Sequence, residues 1–127
     1  MKLLHFEDDK NQSLIFHRLL TRAIPGIQYQ LEEEPYCASP IVTIENPDAL
    51  ICDYYFKDNA NLEMGLIDAI KRFDGYVAIL SAEHPATIRS ILESHGVSLD
   101  KVKVFRKDNV SALIEDIMLN CGEMCAG

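Results

Sequence analysis

Two uninterrupted apolar runs, Ala49-Leu50-Ile51-Cys52 and Tyr76-Val77-Ala78-Ile79-Leu80, constrain this chain more than any other feature. A strand with one wet face alternates apolar and polar residues; a strand covered on both faces does not. Such runs therefore belong to the middle of a sheet layered between helices. Between them, Leu66, Ala69, Ile70 and Phe73 recur at helical spacing, and Asp74-Gly75 turns the chain back toward the sheet.

The same alternation extends in both directions. Leu3 to Phe6 reads as a strand. Phe16, Leu19, Leu20 and Ala23 mark one helix face, Pro25-Gly26 stops that helix, and Ile27 to Leu31 reads as the next strand. Beyond Leu80, Ile88, Ile91, Leu92 and His95 form a stripe closed by Gly96 as C-cap, and Val102 to Phe105 is a fifth strand. Val110, Leu113, Ile114, Ile117 and Met118 form the last stripe, with Asp108 placed to cap it. A short helix over Ile41 to Glu45, opened by Ser39-Pro40, completes five β-α units. Strands alternating with helices imply a parallel sheet, because right-handed crossovers place helices on both faces. The expectation is one doubly wound α/β domain over residues 1–120, with 121–127 as a C-terminal tail.

Composition removes several function classes. Of 127 residues, 48% are hydrophobic, enough for a core and too many for wholesale disorder. The formal net charge of −8 argues against a nucleic-acid phosphate backbone as the main partner. It suits cation binding or docking to a basic protein surface. No run of about 18 apolar residues exists to span a membrane. The start lacks an apolar signal core, so a cytoplasmic location is expected, and Cys37, Cys52, Cys121 and Cys125 read as reduced thiols.

In open parallel sheets, ligands bind beyond the carboxyl ends of the strands. Those ends carry Glu7-Asp8-Asp9, Asp53, Ser81 and Arg106-Lys107. No glycine-rich phosphate cradle follows the first strand, which removes the main support for a nucleotide site. Carboxylates crowded together repel one another, and a hard divalent cation such as Mg²⁺ relieves that repulsion. A carboxylate left facing phosphorus can act as a nucleophile, with an ammonium and a hydroxyl holding the phosphoryl oxygens.

These residues resemble the receiver domain of bacterial two-component response regulators over nearly the whole chain. The likeness rests on Glu7-Asp8-Asp9, Leu50-Ile51-Cys52-Asp53, Leu80-Ser81-Ala82-Glu83 and Phe105-Arg106-Lys107-Asp108, each at its strand end. The resemblance implies a flavodoxin-like strand order 2-1-3-4-5 and Asp53 as phosphoacceptor. It implies Asp8 with Asp9 as the Mg²⁺-binding acidic pair and a backbone carbonyl of Tyr55 as a further metal ligand. Ser81 becomes the switch hydroxyl and Lys107 the phosphate-contacting lysine. A sensor histidine kinase or histidine phosphotransfer protein donates the phosphoryl group. A downstream protein target, an output domain or a second copy reads the result on the surface of the fourth helix, fifth strand and fifth helix.

The residues themselves leave alternatives open. Asp8 and Asp9 also suit a helix start, where the dipole favours carboxylates. Arg106 or Lys103 could replace Lys107, and Ser81 could simply cap the next helix. Asp108 follows the lysine where family members often carry proline, and Val104 stands where an aromatic switch residue is common. Phe105, one residue on, should face the opposite side of the sheet. A phosphorylation-independent interaction module is one rival reading. A small Mg²⁺-dependent phosphohydrolase is another, disfavoured because Tyr55 occupies the usual place of its second acid.

Overall fold

The computed structural model of the chain describes residues 1–7, 9–33, 45–54 and 60–126. Its strands are β1 (Lys2–Phe6), β2 (Gln28–Glu32), β3 (Ala49–Tyr54), β4 (Tyr76–Ser81) and β5 (Val102–Arg106). All pair in parallel in the order β2-β1-β3-β4-β5, the flavodoxin-like arrangement expected. The helices among the described residues are α1 (Lys10–Ala23), α2 (Ala60–Arg72), α3 (Pro85–Ser94) and α4 (Val110–Ala126). Of the short helix expected over Ile41 to Glu45, residues 41–44 lie outside those described, and Glu45 is helical.

The sheet separates two cores, which explains why the middle strands show no alternation. From β3, Leu50 and Cys52 join Leu66 and Ile70 of α2 and Ile88 and Leu92 of α3. Ala49 and Ile51 of the same strand face Phe16 and Leu20 of α1 and Leu113 and Ile117 of α4. Both faces of β3 are dry, so every side chain from Ala49 to Cys52 is apolar and fully buried. Each large aliphatic side chain removed from water in this way contributes roughly 1.5–3 kcal/mol. Val104 packs with the first core and Phe105 with the second, as strand alternation requires.

Element ends follow their capping chemistry. The α1 helix closes at Ile24, and Gly26 takes the left-handed conformation at φ +87° that lets the chain turn into β2. The α3 helix closes at His95, followed by Gly96 at φ +80°. Asp108 does not cap α4: its carboxylate pairs with Arg106, 3.5 Å away, and the helix begins at Val110. That helix also runs to Ala126, through most of the expected 121–127 tail. One glycine, Gly122, costs only about 1 kcal/mol in a helix interior and need not end it. The Lys107–Asp108 peptide bond is trans. Among the described residues no helix is long and apolar enough to cross a membrane.

Candidate phosphoacceptor site

The chemistry-bearing side chains collect at the carboxyl edge of the sheet because the central strands run past their apolar runs. β3 continues through Asp53, opposite Leu80, and β4 continues to Ser81, opposite Tyr54. Phe6 of β1 is level with Cys52, so Glu7, the next residue, stands at the level of Asp53. Its backbone N–H still donates to Glu32 O at 3.0 Å, extending the ladder by one residue. On the other side, the Lys107 N–H donates to Ser81 O at 3.0 Å and ties the loop after β5 to the end of β4.

Asp53 is 1% exposed. Lys107 Nζ donates to its Oδ2 at 2.8 Å and lies 2.6 Å from its Oδ1, the latter out of line for a hydrogen bond. Arg106 and Lys103, the other candidate cations, are engaged elsewhere, with Asp108 and Asp116 respectively. Lys107 is therefore the cation of this site.

Glu7 is the second carboxyl here, and it is 2% exposed. Burial, then a hydrogen bond to Asp53, then the negative charge of Asp53 push its pKa up to about 9. The Lys107 charge and the Asp9 N–H, which donates to Glu7 Oε1 at 3.1 Å, oppose the rise without cancelling it. At neutral pH Glu7 thus keeps its proton beside Asp53. Two buried carboxyls are tolerated because one is neutral and the other is paired with an ammonium.

Ser81 is fully buried, and its Oγ accepts from the Glu83 N–H at 2.9 Å. The hydroxyl fastens the first turn of the β4–α3 loop rather than capping α3. That cap is His84, whose Nδ1 accepts from the Ala86 N–H at 3.1 Å.

Of the residues expected from sequence, Asp53, Ser81 and Lys107 lie together at this edge. Asp9 does not join them. It is exposed and N-caps α1, its Oδ1 accepting from the N–H groups of Asn11 at 2.9 Å and Gln12 at 3.2 Å. A helix start leaves backbone N–H groups without partners, and the first carboxylate in register takes them. Asp8 and Tyr55 lie outside the described residues. The residue missed was Glu7, and the signal for it was available: Leu3, His5 and Glu7 alternate on one side of β1 and its continuation, so a strand read one residue longer carries Glu7 into the sheet edge.

Among the described residues, no group of three or more His, Cys, Asp and Glu side chains could hold a metal. Glu7 and Asp53 still offer a hard, all-oxygen pair, which is the donor chemistry of Mg²⁺, an ion that keeps several of its waters. That pair supplies part of a Mg²⁺ donor set, and its remaining ligands are not among the described residues. A scan against protein-family models finds no match, and no curated protein matches the chain.

Proposed function

We propose that this chain is a phosphorylatable receiver of the two-component type, acting in the cytoplasm. One observation carries the reading: a carboxylate at the end of the central strand, almost wholly buried, held by one lysine and one protonated glutamic acid. Burying a charge is costly, and a chain with no use for it would place an apolar residue there.

In the reaction, an Asp53 oxygen attacks the phosphorus of a phosphohistidine on a sensor histidine kinase or phosphotransfer protein. The P–N bond breaks, its electron pair stays on the imidazole nitrogen, and an acyl phosphate forms. Lys107 transfers its ion pair from the carboxylate to the phosphoryl oxygens, and the Ser81 hydroxyl leaves the Glu83 N–H to donate to one of them. Glu7 and Asp53, with Asp8 and the Tyr55 carbonyl as the family resemblance implies, would hold Mg²⁺, which when bound neutralises charge on the phosphoryl group. Reorganising Ser81 and Lys107 moves the loops after β4 and β5, since both are tied to those strand ends. A downstream target, an output domain or a second copy would read that movement on α3, β5 and α4.

Acetyl phosphate with Mg²⁺, followed by intact mass measurement, tests the proposal. One phosphoryl adduct is expected, lost when Mg²⁺ is chelated and absent in Asp53→Ala. A chain that takes up no phosphoryl group, yet still binds partners, would favour a phosphorylation-independent module instead.

A further inference from the structure

The side of the sheet covered by α1 and α4 holds a cavity of about 210 Å³. His5, Phe16 and Leu80, all buried, line its depth; Ile15, 56% exposed, stands at its mouth; Glu7 and Lys107 line it as well. Asp53 and Ser81 are not among its lining residues, so the cavity lies beside the phosphoacceptor and is separate from it.

Its unusual member is His5. The side chain is 1% exposed in the strand that begins the fold, where Leu3, Leu4 and Phe6 are apolar. Its Nδ1 lies 2.6 Å from the Tyr29 hydroxyl, while among the described residues Nε2 has no hydrogen-bond partner. Burial, reinforced by the Lys107 charge, lowers the pKa to about 3 and keeps the ring neutral. A buried ring nitrogen left unpaired is costly, and native structures rarely leave one so unless something pairs with it. Here it belongs to a residue lining a cavity that can receive a guest.

We propose that this cavity is a binding site for a small uncharged organic ligand bearing one hydroxyl or amine, which bonds to His5 Nε2. The apolar body of the ligand packs against Ile15, Phe16 and Leu80. An apolar cavity of about 150 Å³ accommodates benzene, so a body of about six heavy atoms plus a polar group fits the volume. Charge is disfavoured because His5, Phe16 and Leu80, which line the depth, are buried, and Lys107 is committed to Asp53. The nucleophile is not among the groups that bind the ligand, although Glu7 and Lys107 line the cavity and also stand beside Asp53.

The test is an NMR titration of the full, metal-free chain with phenol, using benzene as comparator and reading the His5 imidazole nitrogens. Phenol can donate or accept, so it suits either tautomer of His5. The expected result is saturable phenol binding that shifts the Nε2 resonance. In His5→Phe, the preference for phenol over benzene should fall about tenfold. Should that variant fail to fold, Ile15→Trp closes the mouth from an exposed position and should abolish phenol binding. The proposal is overturned by phenol that does not saturate, by a preference unchanged in a folded His5→Phe, or by full binding in Ile15→Trp. No phosphoryl donor enters the assay, so its failure leaves the receiver reading standing.

Discussion

Glu7→Gln isolates the electrostatics of the site. In the folded chain Glu7 holds a proton up to about pH 9, whereas an unfolded carboxyl releases it near its ordinary value of 4.5. A pKa raised on folding gives a contribution fully present below the unfolded value and lost as pH rises toward the folded one. Wild-type stability should therefore decline across the window from about 4.5 to about 9. At about 1.36 kcal/mol per unit, the ceiling on that loss at pH ~7.5 is about 4 kcal/mol. Glutamine has nothing to release and keeps an N–H donor for Asp53. The variant should then be about 2–4 kcal/mol more stable than wild type at pH ~7.5, roughly 10 °C in Tm, and nearly equal to it at pH ~4.5. Urea melts followed by circular dichroism in chelator, at several pH values, measure the difference; groups common to both chains cancel. A difference that stays flat with pH, or a variant less stable at pH ~7.5, would refute the reasoning.

Mg²⁺ binding should release about one proton near neutral pH, seen by calorimetry in buffers of different ionisation enthalpy, and Glu7→Gln should abolish that release. Because the proton competes with the metal, Mg²⁺ affinity should rise with pH toward about 9, where Glu7 ionises. Lys107→Ala leaves Asp53 buried without its cation and should cost about 1–3 kcal/mol in a denaturant melt, less than a fully buried pair because Lys107 is partly exposed. Gly75→Ala should destabilise by about 1–3 kcal/mol, since the added Cβ would meet Asp48 O at 2.6 Å and the Phe73 ring at 2.7 Å. A thermal melt of that variant reads the loss directly.

The middle of the sheet was legible because its physics is simple. Dry strands are written as unbroken apolar runs, and Ala49–Cys52 and Tyr76–Leu80 stand where the sequence put them, with helices on both sides. Ends were less legible, because they depend on which polar groups compete for which backbone partners. Three acids in a row after β1 look equivalent in sequence. Geometry separates them: Glu7 enters the ladder through Glu32, while Asp9 is taken by the bare N–H groups of α1. The same competition drew Asp108 to Arg106. His5 escaped notice because one histidine in an apolar run reads as core, and only the fold reveals a ring nitrogen without a partner among the described residues, beside a cavity.

The most direct test of the phosphoacceptor assignment is borohydride trapping after reaction with acetyl phosphate and Mg²⁺. An acyl phosphate is reduced to the alcohol, so the modified residue appears as homoserine in peptide mass mapping. The account predicts homoserine at position 53 and nowhere else, dependent on Mg²⁺. Homoserine at Asp9 or another aspartate, 5-hydroxynorvaline at Glu7 or another glutamate, or no reduced residue at all in a chain that is folded and metal-loaded, would contradict it.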